Sequence, residues 1–231
     1  MLAIREQAEL LGEEIIDFRH ALHRIPEIGL DLPRTQQLIL EKLAHLEGIE
    51  ILRGDRQSSV TVVLRGGRMR EDGSPGPVVL LRGDMDALPV TEETGLAYAS
   101  ETAGAMHACG HDMHVAALYG ALKLLHELRG DLCGDVLFMF QPGEEAYDGA
   151  RFMVEDGVLE AAGRKVDAAF GLHVFPVISG TVSFTPGQGH SWQVVMNFSS
   201  PSRVRAGMVR PPTRPRILSP LRAKWFWHFK H

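Results

Sequence analysis

Apolar positions along the chain follow distinct rhythms, and each rhythm predicts its own element. Over residues 5–24, Leu10, Leu11, Ile15, Phe18 and Leu22 recur at roughly helical spacing with charges between them. That spacing predicts an amphipathic helix. A second helix is predicted over 34–46, behind Pro33. Residues 49–52 and 60–64 read as strands, and the Gly-, Asp- and Pro-rich stretch 66–77 reads as a surface loop. Val78-Val79-Leu80-Leu81 is a short unbroken apolar run, the form taken by a strand buried on both faces. A helix over about 111–128 follows, then a strand over 135–140, a short helix near 149–155 and a strand over 168–173. Strands alternating with helices imply an α/β layer fold, a mixed sheet flanked by helices. No internal repeat is evident.

Composition changes this picture little. With 45% hydrophobic and 23% charged residues, the 231-residue chain has the content of an ordinary soluble protein with a real core. No apolar run is long enough to cross a bilayer. Arg5, Glu6, Glu9, Glu13 and Glu14 interrupt the first twenty residues, so no signal-peptide core is expected there. Two cysteines, Cys109 and Cys133, are too few for a disulfide framework, and a cytoplasmic location is expected. Charge is more informative. Residues 189–231 hold eight Lys or Arg and no Asp or Glu, whereas residues 1–188 hold 16 basic and 29 acidic side chains. Two regimes therefore meet near Gly189.

Candidate chemistry collects where the predicted strands end, which in open α/β sheets is where ligands bind. Asp84 and Asp86 follow one strand and share a side by the two-residue period. Glu144 and Glu145 follow another, in Gln141-Pro142-Gly143-Glu144-Glu145, and His173 closes a third. The segment Met106-His107-Ala108-Cys109-Gly110-His111-Asp112-Met113-His114 opens a helix. There Gly110 allows a sharp turn that lets a thiolate and an imidazole reach one site. Each segment alone also fits a blander role: a solvated histidine-rich helix start, two exposed loop glutamates, a core histidine. Adjacent carboxylates are unfavourable unless something positive compensates them. Four segments that all supply oxygen, imidazole or thiolate donors favour a metal centre.

These residues resemble the metallopeptidase family M20, in its amidohydrolase branch of hippurate, indole-acetyl-amino-acid and N-acyl-amino-acid hydrolases. The likeness is carried by Arg19-His20-Ala21-Leu22-His23-Arg24-Ile25-Pro26-Glu27-Ile28-Gly29, by Arg82 to Pro89, Met106 to His114, Gln141 to Glu145 and Gly171 to His173, in the family's order. Cys109-Gly110-His111 marks the branch. Asp84-Met85-Asp86 stands where other branches have His-x-Asp. The resemblance implies a zinc-exopeptidase-like catalytic domain and two divalent metal ions (Zn, Mn, Co or Ni). Cys109 would be the bridging thiolate, with His111, Glu145 and His173 completing four of five ligands. It further implies Glu144 as the general base, taking a proton from the water between the metals and later delivering it to the leaving nitrogen. Asp86 would be the acid that orients a ligand. His107, Asp112 and His114 are not assigned to the metal. The expected partner is a small N-acyl amino acid, with no nucleic acid and no membrane; homo-oligomers are expected of a full-length form only.

The family continues into a lid domain and then returns with a fifth histidine ligand, neither of which is legible here. Residues 189–231 form instead a basic, Pro-rich tail ending Trp225-Phe226-Trp227-His228-Phe229. A nucleic-acid or membrane tether is one reading of such interleaved charge and aromatics. The other is a change of frame. If each codon starts on the third base of the present one, Met208–Val209 must encode Gly. Under the same shift Trp225–Phe226 must encode Val, Phe226–Trp227 Leu and Trp227–His228 Ala. The span from Arg205 to Ser219 then permits Gly-Gly-His-Gly-Ala-x-Pro-His-x-x-x-Asp-Pro-Ile, which resembles the family's lid motif. The expectation is therefore that 1–188 is the N-terminal part of the catalytic domain, and that 189–231 is out of frame and poorly ordered.

Overall fold

The computed structural model describes residues 4–176, 183–186 and 191–198. Helices α1 (Ile4–Leu10), α2 (Gly12–Arg24) and α3 (Pro33–Leu43) come first, then strands β1 (Ile49–Arg53), β2 (Val60–Leu64) and β3 (Val78–Asp84). Helix α4 (His111–Glu127), strand β4 (Asp135–Gln141), helix α5 (Gly149–Glu155) and strands β5 (Ala168–Pro176), β6 (Ser183–Pro186) and β7 (Ser191–Phe198) complete the order. One sheet runs β1-β2-β4-β3-β5-β7-β6. It is mixed: β3 is parallel to both β4 and β5, and β5 to β7, while β1/β2, β2/β4 and β6/β7 are antiparallel.

Alternation on the strands sorts two cores. Val60, Val62 and Leu64 of β2 join Phe138 and Phe140 of β4 beneath α2, α3 and α4, where Phe18, Leu22, Ile39, Leu43, Leu118 and Leu122 are buried. Val63, Leu137 and Met139 face the other way with Val78 and Leu80, against Met153 of α5 and Val158. Burial of this kind is worth roughly 1.5–3 kcal/mol per large apolar side chain, which offsets the entropy of ordering the layers. Phe18 meets Tyr119 edge-on with ring centroids 5.2 Å apart, fixing α2 on α4.

Several bounds differ from expectation for identifiable reasons. The predicted helix 5–24 is two helices meeting at Leu11, just before Gly12, a poor helix residue. Helix α3 stops at Leu43 rather than 46. Strand β3 continues three residues past its apolar run, because main-chain pairing with β4 persists through Arg82, Gly83 and Asp84 whatever their side chains. Strand β5 likewise runs on through Pro176, so His173 sits inside it rather than at its end. Strand β7 lies within the segment expected to be a tail and pairs with β5 from Ala169 to Pro176. The remainder of that segment, 199–231, lies outside the described residues.

The chain reverses direction of travel at β3: α4 leads from it to β4 on one side, and α5 leads from β4 to β5 on the other. A crevice opens at such a switch point, beyond the carboxyl ends of the parallel strands. No helix among the described residues is long and apolar enough to cross a membrane.

Candidate metal centre

Two strand ends, a position within a third strand and one helix start deliver the site. Asp84 is the last residue of β3 and Asp86 follows it. The turn after β4 carries Glu144 and Glu145, and β5 supplies His173. Helix α4 begins at His111, with Cys109 two residues earlier. Gly110 adopts φ +78°, and a Cβ there would lie 2.5 Å from Val174 Cγ2. Only glycine gives both the left-handed turn and the close approach of α4 to β5. Gly143 serves the glutamates similarly, with φ +66° and Leu30 Cδ2 2.5 Å from where its Cβ would be.

His111 is the hub. It is fully buried, and neither ring nitrogen makes a hydrogen bond of acceptable geometry. Its Nδ1 is 3.3 Å from Asp86 Oδ1; its Nε2 is 3.6 Å from Asp84 Oδ2 and 3.8 Å from Glu145 Oε1. Burial disfavours charge on this ring, yet the Asp84 and Asp86 carboxylates outweigh burial and hold its proton well above the ordinary histidine range. A pocket that forces a proton onto a buried imidazole is a pocket that wants a cation. The Cys109 Sγ lies 3.6 Å from His173 Nε2. Burial pushes that thiol up. Donor atoms of Cys109, His111 and His173 lie within 4.8 Å of one another, as do those of His111, Glu144 and Glu145.

Asp86 links two of these groups. Its Oδ2 accepts the Glu145 N–H at 2.9 Å while Oδ1 faces His111. Glu144 is raised to about 7, first by burial and then by the Asp84 charge. His173 is lowered to about 4 by burial and the neighbouring His114, and its Nδ1 donates to the Val174 carbonyl at 2.6 Å, which leaves Nε2 as the lone-pair nitrogen. The buried, incompletely hydrogen-bonded donors around His111, and the mixture of thiol, imidazole and carboxylate, fit a borderline divalent metal such as zinc. All six residues singled out from the sequence, Asp86, Cys109, His111, Glu144, Glu145 and His173, therefore converge.

Other groups in the crevice were not legible as partners. Asp84 is entirely buried; burial would raise its pKa, but Arg82 and His111 hold it well below the usual carboxylate range. Arg82 pairs with Asp84 and donates to Gln141 Oε1 at 2.8 Å. Asp112, also fully buried, accepts from His23 Nδ1 and Arg19 Nε, both at 2.8 Å. His107 is buried with neither ring nitrogen hydrogen-bonded, and burial lowers it to about 4.

A three-layer α/β scaffold thus gathers acid, imidazole and thiol donors in its switch-point crevice. The chain belongs to peptidase family M20/M25/M40, whose model matches residues 80–227. It is 42% identical over 178 residues to an N-acetyl-L-cysteine deacetylase of Bacillus subtilis (strain 168), a match covering 77% of this chain and 40% of the relative. To an N-acyl-L-amino acid amidohydrolase of Geobacillus stearothermophilus it is 36% identical over 186 residues, covering 80% and 47%. A crystal structure of a dinuclear metal-binding peptidase of the M20 family from Bacillus subtilis superposes with a TM-score of 0.64 at 35% identity, covering 77% of this chain and 49% of that one. The chain thus spans less than half the length of these relatives.

Proposed function

We propose that the chain carries the greater part of a two-metal amidohydrolase centre, with Cys109, His111, Glu145 and His173 as ligands and Glu144 as general base. Its substrate would be an N-acyl amino acid. The observation that carries this reading is the convergence of Cys109, His173 and Glu145 on the buried His111, with a carboxyl group poised near 7 beside them. The substrate class rests on the names of the relatives, a deacetylase and an amidohydrolase of acylated amino acids.

When bound, the metal pair polarises the amide carbonyl and makes a water acidic enough to attack near neutral pH. The chain's residues supply the remainder. A carboxylate with a pKa near the working pH both accepts a proton readily and gives it up readily. Glu144 therefore takes the proton of the attacking water and returns it to the leaving nitrogen, while Asp86 holds His111 and the Glu145 main chain in place. Cys109, raised by burial, ionises on binding the cation, so metal uptake releases a proton.

A second reading is a metal-binding remnant without turnover. Glu144→Gln separates the two. In a hydrolase it should keep metal content, measured by mass spectrometry of the native chain, and lower kcat for N-acetyl amino acids about 100- to 10,000-fold. Zinc uptake without measurable turnover in the unmutated chain supports the remnant. Failure to bind zinc through Cys109 sinks both.

A further inference from the structure

Within the crevice one histidine has a hydrogen-bond pattern that excludes it from the metal. His114 lies one turn into α4, fully buried. Its Nδ1 faces Asp84 Oδ1, a carboxylate oxygen that can only accept, and its Nε2 faces the Val174 N–H at 2.8 Å, which can only donate. The ring is therefore fixed as the Nδ1–H tautomer, and its one lone pair is already engaged. Although Asp84, His111 and His114 cluster closely enough to suggest a ligand set, this ring has no electron pair left to give.

We propose that His114 is a positioning residue that holds His173 with its Nε2 turned toward Cys109. The chain of contacts is continuous. Arg82 fixes Asp84, Asp84 fixes the His114 tautomer, and His114 anchors the Val174 amide. The carbonyl of the same Val174 accepts from His173 Nδ1. The His114 ring also packs against both neighbouring histidines, with centroids 4.7 Å from His173 and 5.4 Å from His111. Main-chain pairing of strand β5 to β3 ends at Arg82↔Gly171. The His114–Val174 bond thus takes over where main-chain pairing to β3 stops, and it does so at the residue following His173.

The metal role of His173 rests on the reading above; the clamp itself does not need a metal to be tested. Nitrogen-15 NMR of histidine rings in the metal-free 231-residue chain should show His114 as the Nδ1–H tautomer and the Val174 amide as slow to exchange. Two variants then split the bonds. His114→Gln places an amide oxygen near the position of Nε2, so it should keep Val174 protected and restore cobalt(II) affinity close to that of the unmutated chain. His114→Asn offers a donor near Nδ1 but is too short to reach Val174. Its Val174 amide should exchange freely, and cobalt(II) should bind about tenfold more weakly, with the thiolate-to-cobalt absorption of Cys109 retained. An Nε2–H tautomer, or equal Val174 exchange in the Gln and Asn variants, would falsify the clamp. Protection of Val174 with no thiolate–cobalt band in the unmutated chain upholds the clamp and overturns the metal reading instead.

Discussion

Glu144 owes its raised pKa to where Gly143 turns the chain, into a half-buried position facing the Asp84 charge. In the folded, metal-free chain its pKa of about 7 stands above the ordinary 4.5. Its protonated form is the one the fold favours. Its contribution to stability is therefore fully present below about pH 4.5 and is lost as pH rises through 7. Glu144→Gln abolishes that titration. The metal-free variant should gain on the unmutated chain progressively across this window and hold a constant lead above it, as read from denaturant midpoints. A gap that does not change with pH would show that Glu144 titrates normally.

At the scale of elements, α2 is fastened to the start of α4 by charge as well as by Phe18 and Tyr119. His23 donates from Nδ1 to Asp112 and from Nε2 to Glu92, so it is held as an imidazolium between two carboxylates. The hydrogen bond to Asp112 is the main reason its pKa is raised. His23→Ala leaves buried acid partly uncompensated and should cost about 3 kcal/mol or more below pH 6.5. Because the folded pKa is raised, this contribution fades as pH climbs through it, and the difference between the two proteins should shrink. Thermal unfolding over a pH series measures it; a difference that widened with pH would contradict the ion pair. Such contacts also show what a sequence can disclose. The strand cores at 60–64 and 78–81 were legible because buried strands favour β-branched and apolar runs, unbroken at 78–81 and interrupted by Thr61 at 60–64. That Asp86, Cys109, His111, Glu144 and Glu145 would gather was legible because each lies in a short dense motif, whereas His173, a lone imidazole in an apolar strand, was singled out only alongside them. His23–Asp112 and Asp84–His114–Val174 were not legible, since their partners stand far apart in the chain and nothing local marks them. Nor could periodicity foresee β3 and β5 running on, because main-chain pairing ignores side-chain polarity.

At the scale of the molecule, the sheet extends past the point where composition changes. We propose that the reading frame shifts near residue 188, on the strength of the codons forced at Met208–Val209 and across Trp225–His228. Independent nucleotide sequence over codons 185–192 should reveal a single displaced base; an unbroken frame there would retire the idea and leave the basic segment native. The sheet order has a temporal meaning as well. Strand β3 is central, yet both of its neighbours are made after it: Val79 must wait first for Val136 and then for Ala168. At roughly 5–20 residues per second, translation leaves that apolar strand without its second neighbour for several seconds. Throughout that interval an unpaired edge is offered to any nascent chain nearby. Slower synthesis at low temperature, or more holding chaperone, should therefore raise the soluble fraction. Substituting His173, which is made after Ala168, should leave that fraction unchanged.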